Sequence, residues 1–430
     1  MKNKVYFFKK FYVLSMLGIW LNTSTFGIAG ENLKEKLRTA DPLITAHQKF
    51  SAELCGELFR NVAPTENLLF SGFNVSEAFQ LLYVGSVGGV KAELDDLYTQ
   101  DMVRTRGDQD LSQVPDAYKA LNDLLSFDSK DEDATKIYRA ASLWVNEGQG
   151  YHFSKNYLDR LQKLRIFPEQ VNYALDFKKP ETLKQMNDWV SNATDRLIPT
   201  ILESLDPAMV SLLISSLFIQ GPWLYSFEEH ATQESDFNIN SKKKIKLPFM
   251  NQEKFHPYVE SEELQAIQLL TKDRKFALEI YLPRTDVGAD ELREALGEDF
   301  DIWSTVDFRN AHYVSLSLPK SKISFNRDIL KDLGSFIPET LSGGTDLSGL
   351  LTPAAELGVS AVIHKTVLEM NESGFKAAAV TAIGLEKTSA KPQIEAAMIV
   401  NRPFGLRIVH LPTKLELFRG WVAQPEALTN

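Results

Sequence analysis

Cysteine is nearly absent from this sequence, whose 430 residues include only Cys55. An intramolecular disulfide is therefore excluded, and the fold must depend on its hydrophobic core, which a chain of this length can supply. Cys55 shares a helical pattern with Phe50, Leu54 and Leu58. We expect a buried structural thiol, with an intermolecular disulfide as the alternative.

Motifs for catalysis and for metal binding are also missing. The seven histidines show no metal-ligand spacing, and there is no cysteine cluster. The sequence contains no nucleophile elbow, no P-loop and no dinucleotide-binding glycine pattern. We therefore expect neither an enzyme nor a bound metal or cofactor.

The only apolar segment that suggests targeting lies at the start of the chain. Lys2, Lys4, Lys9 and Lys10 precede an apolar run of eleven residues, and Gly27-Ile28-Ala29 offers a small-residue cleavage site. This pattern predicts a secretory signal peptide over residues 1–29, with a buried or interfacial N-terminal helix as the alternative. No later run is long enough to predict a membrane span.

Basic residues are fewer than acidic residues in this sequence. Removing residues 1–29 takes away four lysines and no acid, which leaves 43 basic against 57 acidic residues, a net charge of −14. A chain this acidic is a poor general binder of nucleic acid or anionic membrane, and neither partner is expected.

Hydrophobic periodicity places helices early and strands late, which predicts an α+β fold with a mixed or mostly antiparallel sheet. With no linker-like tract, residues 30–430 are expected to form one domain. The predicted helices are Asp41–Phe59, Val75–Val87, Gly89–Tyr98, Asp116–Ser126 and Glu181–Leu202. The predicted strands are Val210–Ile219, Lys246–Met250, Ala266–Leu270, Phe276–Leu282, Tyr313–Pro319, Gly358–Met370 and Gly405–Leu411.

An alanine run follows the strand that ends at Met370. Ala377, Ala378 and Ala379 come after Gly374 in a segment that would otherwise be a surface loop, where alanine is uncommon. Small side chains make sense if the loop must later become a buried strand, because large or charged groups would overpack or need desolvation. Strand alternation puts Phe375 on one face with Ala377 and Ala379, and the only charge, Lys376, on the other.

Several separate blocks lie along the chain after residue 40: Asn67–Phe79, Asn187–Val190 with Thr194, Ser215–Trp223, Leu318–Lys320, Asp346–Gly349, His364-Lys365, Glu372-x-Gly374, Asn401–Phe404 and Phe418-x-Gly420. In their order, and over essentially everything after residue 40, these blocks resemble the serpin family of serine protease inhibitors. The resemblance implies a serpin fold: early helices, a large mixed sheet, smaller sheets and an exposed reactive-centre loop over about residues 372–400.

The resemblance also implies the mechanism. A serine protease attacks the loop and forms an acyl-enzyme, and the cut loop then inserts into the main sheet, so the partner is a protease in covalent complex with an inhibitor expected to be a monomer. The residues that fall in the family's hinge are Glu372, Gly374, Phe375, Ala377, Ala378 and Ala379. Trp223, Lys320 and Glu372 match the breach, the region at the top of the sheet where the loop inserts.

Departures from the family pattern concern the sheet and the hinge. Asn74, Ser215 and His364 match a polar cluster that locks the central strands, but the Asn and the Ser have exchanged places. Gly72 stands where the family has proline. Phe375 stands where inhibitory members usually have Thr or Ser. Its bulk would slow insertion, at a cost of roughly 1–3 kcal/mol, so Phe375→Thr is expected to speed complex formation.

The residue before the scissile bond determines which protease the loop attracts. Fourteen residues after Gly374 lies Thr388, and the candidate bonds are Lys387-Thr388 and Thr388-Ser389. Lys387 predicts a trypsin-like protease. The alternative is a non-inhibitory serpin that acts as a carrier, storage or binding protein, in which Lys387 is only a solvated side chain. Asn192, in Asn192-Ala193-Thr194, is a predicted glycosylation acceptor.

Overall fold

The computed structural model describes residues 27–98, 114–164, 172–284, 288–298, 306–335, 337–341, 348–353, 358–376 and 392–428. Most of its helices come before most of its strands, as predicted. The α-helices of this part of the chain are α1 (Gly27–Asn61), α2 (Gly72–Gly85), α3 (Gly88–Tyr98), α4 (Val114–Leu125), α5 (Lys155–Leu164), α6 (Pro180–Ala193), α7 (Gly288–Glu298), α8 (Leu330–Leu333) and α9 (Pro338–Leu341).

The strands carry most of the second half of the chain. In order they are β1 (Leu68–Phe70), β2 (Lys136–Asn146), β3 (His152–Phe153), β4 (Asn172–Leu175), β5 (Ser211–Pro222), β6 (Gln233–Asn238), β7 (Lys244–Glu260), β8 (Leu264–Leu270), β9 (Phe276–Pro283), β10 (Ala311–Pro319), β11 (Ser321–Asp328), β12 (Leu351–Thr352), β13 (Ala361–Met370), β14 (Gly374–Phe375), β15 (Ala396–Ile399), β16 (Phe404–His410), β17 (Leu415–Val422) and β18 (Glu426–Ala427).

Seven strands form what we call the main sheet, in the order β18-β11-β13-β14-β5-β2-β4. It is mixed, because β2 pairs with β4 and β13 pairs with β5 in parallel, while the other pairs are antiparallel. A second array of nine strands consists of two smaller sheets joined through the long strand β7. The predicted α+β class with a large mixed sheet and smaller sheets is confirmed.

Three elements differ from their predicted bounds by more than three residues. Helix α1 runs through Pro42 and begins at Gly27, not at Asp41. Helix α6 ends at Ala193, not at Leu202, because Asp195 and Arg196 take left-handed backbone angles (φ 49° and 62°) that end an α-helix. Strand β7 has 17 residues, where only a short strand was expected.

Strand β2 was not predicted at all. It pairs with both β5 and β4 and is buried along most of its length, with Leu143, Trp144 and Val145 each about 1% exposed. A strand buried on both faces loses the apolar-polar alternation by which strands are usually found.

The core lies between α2 and the sheets. Every residue of α2 is buried, so this helix shows no polar face. At its start, a Cβ on Gly72 would lie 2.2 Å from Ser51 Oγ of α1. The close approach of the two helices therefore requires glycine at this position.

A second cluster lies on the outer face of the main sheet. Met186 and Val190 of α6 pack there with Trp144, Phe218 and Val367 of three neighbouring strands. Helix α6 and the connector after it, residues 194–210, therefore cover the contact between β13 and β5. We call that contact the seam.

Candidate functional site

The predicted hinge begins with a tight turn. The Asn371 side-chain oxygen accepts hydrogen bonds from the backbone N–H groups of Ser373 and Gly374, both at 3.0 Å, and this turn reverses the chain after β13. Gly374 follows with φ 158° and lies so close to β5 that a Cβ would be 2.0 Å from the Gly221 carbonyl oxygen. Only glycine allows this approach.

The chain then enters the main sheet. Phe375 pairs with Met370 of β13 on one side and with Gly221 of β5 on the other, so β14 is a two-residue strand inside the seam. The Phe375 side chain is fully buried, and its ring centroid is 4.5 Å from that of Trp223. The expectation that its bulk obstructs insertion needs revision, because this residue is already inserted.

Lys376 marks the point where the chain leaves the sheet. Its φ of 39° is left-handed, its N–H donates to the Glu369 carbonyl at 3.0 Å, and its own carbonyl accepts from Gln220 Nε2 at 3.2 Å. Its ammonium lies 3.5 Å from the Glu369 carboxylate. Its charge is thus kept at the surface while Phe375 points inward, as the alternation predicted.

The residues of the predicted breach lie together above the hinge. Lys320 Nζ is 3.1 Å from Glu372 Oε2, and the two side chains are 12% and 8% exposed. Thr232, which sequence reasoning missed, donates to Glu372 Oε1 at 2.8 Å. Burial acts to raise the pKa of Glu372, but hydrogen bonds from its own N–H and Thr232, with Lys320, hold that pKa below its ordinary value. Trp223 donates its indole N–H to the Asn371 carbonyl at 3.0 Å.

The predicted sheet lock also assembles, with all three side chains fully buried. Ser215 Oγ donates to Asn74 Oδ1 at 2.7 Å and lies 3.0 Å from His364 Nδ1. The backbone N–H of Ser71 donates to His364 Nε2 at 2.9 Å. Burial lowers the pKa of His364 to about 3, so its ring is neutral. The lock thus ties β13 and β5 to α2 across the middle of the seam.

Below the hinge the seam is closed. Ala361–Val367 of β13 pairs in parallel with Leu212–Phe218 of β5. Lys365 belongs to a block named from the sequence but was given no role there; its Nζ donates to the Thr200 carbonyl at 2.6 Å. This bond ties β13 to the connector that covers the seam.

The other predicted residues lie elsewhere or outside the described chain. Asn192 is exposed near the end of α6, and Thr194 of the same sequon is buried with its hydroxyl donating to the Val190 carbonyl at 2.8 Å. Cys55 is buried, as expected. The rest of the predicted hinge and the candidate scissile residues lie outside the described residues: Ala377, Ala378, Ala379, Lys387, Thr388 and Ser389.

Metal-binding clusters and membrane-spanning helices are both absent from the described residues. No group of three or more His, Cys, Asp or Glu side chains in these residues is placed to hold a metal ion. No helix within the described ranges is both long enough and apolar enough to cross a membrane.

Comparisons with known proteins agree with this geometry. The family profile described as Serpin (serine protease inhibitor) matches residues 45–425. Among curated proteins, human Serpin B10 is 26% identical over 404 residues, which cover 90% of this chain and 100% of that protein. Horse alpha-1-antiproteinase 2 is 27% identical over 382 residues, which cover 87% of this chain and 86% of that protein. Pig leukocyte elastase inhibitor is 26% identical over 90% of this chain and its own full length.

Solved structures share the fold. Human thyroxine-binding globulin, determined in complex with thyroxine, superposes with a TM-score of 0.76 at 21% identity, covering 90% of this chain and 100% of that one. The native, stressed form of an Arabidopsis serpin gives a TM-score of 0.74 at 22% identity over 90% of this chain and 98% of that one.

Proposed function

Because the chain belongs to the serpin family, we propose that it is a secreted inhibitor of serine proteases that traps its target as an acyl-enzyme while its cut loop inserts into the main sheet. One observation carries the proposal: β14 pairs with β13 on one side and β5 on the other. The seam therefore accepts a strand at its upper end. The alanine run that follows offers small side chains for the rest of the path.

The covalent step is acyl transfer. The serine Oγ of the protease attacks the carbonyl carbon of Lys387, the C–N bond to Thr388 breaks, and the new amine of Thr388 takes the proton. An ester then links Lys387 to the protease. Trapping requires that insertion of the freed segment outpace hydrolysis of this ester.

Insertion would proceed downward from Phe375. The parallel pairing of β13 with β5 must break, together with the hydrogen bond from His364 to Ser215. Inward-facing positions would be occupied by Ala377 and Ala379, so no charge is buried on that face. A kinetic barrier prevents insertion of the loop until the loop is cut.

The test mixes the mature protein with trypsin and separates the products on a denaturing gel. A stable band near the summed mass is expected, and sequencing the released fragment should give Thr388 as its first residue. Lys387→Ala is the matched control and should lose the band with trypsin. Clean loop cleavage without a complex, by trypsin and also by elastase-like and chymotrypsin-like proteases, would refute the inhibitor proposal.

A second candidate function is a non-inhibitory serpin that acts as a carrier, storage or binding protein. Phe375, docked against Trp223 where inhibitory members usually carry Thr or Ser, favours it. The two functions differ in the effect of loop cleavage on stability. Insertion into the sheet should raise the unfolding temperature of the cleaved protein, whereas a loop that does not insert leaves it unchanged.

Secretion follows from the predicted leader. Expression of the full chain in secreting cells should deliver a protein to the medium whose first residue is Gly30. Retention in the cell with Met1 intact would contradict this part of the proposal.

A further inference from the structure

The sheet lock continues beyond the three residues expected from the sequence. Asn74 Nδ2 donates to Glu77 Oε2 at 3.3 Å, and Arg139 Nη1 of β2 donates to Glu77 Oε1 at 2.5 Å. Arg139 Nη2 in turn donates to Asn122 Oδ1 of α4 at 2.8 Å. A continuous polar chain therefore runs from β13 through β5 and α2 to β2 and α4.

The donor and the acceptor of each hydrogen bond between His364, Ser215 and Asn74 can be assigned. The Ser71 N–H points at His364 Nε2, so Nε2 is an acceptor and the neutral ring carries its proton on Nδ1. Nδ1–H then donates to Ser215 Oγ, which donates its own proton to Asn74 Oδ1. The Asn74 amide must present its oxygen to Ser215 and its nitrogen to Glu77.

Glu77 fixes that orientation. An ionised carboxylate only accepts hydrogen bonds, so it can face the amide nitrogen of Asn74 but not the amide oxygen. The Glu77 side chain is 10% exposed and Arg139 is 24% exposed, so the carboxylate depends on the guanidinium for its charge partner. Burial raises the pKa of Glu77, and Arg139 opposes that shift.

This arrangement accounts for the exchange of Asn and Ser relative to the family pattern. Asparagine at position 74 brings an amide nitrogen into a fully buried site, where an unpaired donor is costly. Glu77 supplies the acceptor, and Arg139 on the adjacent strand supplies the counter-charge.

We propose that Glu77 and Arg139 are positioning residues of the sheet lock, which orient the Asn74 amide so that the chain of hydrogen bonds holds β13 and β5 together until the loop inserts. This rests on the proposed function in one respect, the insertion of the loop. It adds two residues that act on the seam through the amide of Asn74.

The first measurement needs no variant beyond an assignment control. Nitrogen-15 NMR of the imidazole rings reports the tautomer of His364, assigned by comparison with His364→Asn. The Nδ1–H tautomer is expected in the natural protein. The Nε2–H tautomer would overturn the proposal, since the chain of donors would then run the other way.

The second measurement separates orientation from simple ion pairing. Glu77→Gln replaces a pure acceptor with an amide that no longer dictates which way Asn74 faces. A labelled synthetic peptide with the sequence of residues 374–387 serves as the probe, and its uptake into the seam is timed. Uptake should be about tenfold faster in Glu77→Gln, the size expected for weakening a buried hydrogen bond to a charged group.

The matched control is the double exchange Asn74→Ser with Ser215→Asn. In that background Glu77 no longer faces an amide, so adding Glu77→Gln should change uptake by about twofold or less. An equal acceleration in both backgrounds would show that Glu77 acts only as an ion-pair partner, and would overturn the proposal.

Failure of the proposed function gives a different pattern. If no protease is trapped but peptide uptake and the tautomer behave as stated, the positioning role stands and the inhibitor proposal falls. If the natural protein takes up no peptide, the side-chain amide resonances of Asn74 report its orientation directly, and resonances that are unchanged in Glu77→Gln overturn the positioning role.

Discussion

The docked hinge makes a sharp prediction for Phe375→Thr. In the native structure Phe375 is fully buried against Trp223 within a strand only two residues long. Replacing a buried phenylalanine by a smaller residue costs about 3 kcal/mol, the lower end of the observed range because threonine refills part of the space. Docking is opposed by about 1–2 kcal/mol of backbone entropy for each residue that is ordered. Without the packing energy of the Phe375 ring, the entropy cost of ordering these residues is no longer offset, and the hinge should leave the sheet.

Hydrogen exchange of the segment from Glu369 to Lys376, followed by mass spectrometry, measures the release. A change of about 3 kcal/mol corresponds to roughly 100-fold faster exchange at the Lys376 amide, which is bonded to the Glu369 carbonyl in the docked state. Phe255→Thr is the matched control, because Phe255 is 47% exposed on β7 and should leave the hinge unchanged.

The same variant separates two views of Phe375. If the size of the Phe375 side chain only slowed insertion, Phe375→Thr would speed complex formation. Because the residue already lies in the seam, we now expect slower trapping and a larger cleaved fraction, since insertion must begin from an undocked hinge. If hydrogen exchange at the Lys376 amide is unchanged in Phe375→Thr, Phe375 does not hold the hinge in the sheet. If the variant traps the protease faster, the size of Phe375 slows insertion after all.

Three further predictions concern the loop, the surface and pH. Strand alternation assigns Ala379 to the inward face of the inserted loop and Ala378 to the outward face. Ala379→Arg should therefore convert the proposed inhibitor into a substrate, because a buried charge opposes insertion, while Ala378→Arg should still trap the protease. Equal behaviour of the two variants would contradict the assigned alternation. Secreted protein should lose a glycan on Asn192→Gln, seen as a mobility shift equal to that given by glycosidase, and no shift would show that the site is unused. Stability to urea should fall as pH drops from about 6.5 towards 4, because buried histidines with lowered pKa values bind protons only when unfolded, each contributing up to about 1.4 kcal/mol per pH unit; a flat profile over this window would contradict their neutral burial. These histidines are His47, His256, His364 and His410, whose pKa values are lowered by burial to between about 3 and about 4.

Much of the site followed from the sequence because it rests on short blocks with a fixed order. The structure brings together residues that the resemblance singled out: Ser215 contacts Asn74, Lys320 pairs with Glu372, and Trp223 lies beside the hinge. Alternation put Phe375 and Lys376 on opposite faces, and in the structure Phe375 is buried while the Lys376 side chain is 41% exposed. Strand periodicity determines which side a residue faces, because successive side chains point to opposite faces whatever the surroundings.

Boundaries that depend on packing were missed. Helix α6 stops at Ala193 although the amphipathic pattern continues, because the connector turns back over the sheet and still needs apolar residues to cover it. The strand β2 was missed because burial on both faces removes its alternation.

The sequence alone determined the family and the fold class and singled out the three residues of the lock, since each depends on residue types at local spacing. Only the tertiary structure shows that Phe375 already lies between β13 and β5, and that the lock is hydrogen-bonded to Glu77 and through it to Arg139. Glu77 and Arg139 are 62 residues apart on a helix and a strand, and nothing local to either predicts their ion pair. Contacts of this kind arise because the core brings distant side chains within hydrogen-bond distance in a medium where an unpaired polar group is costly.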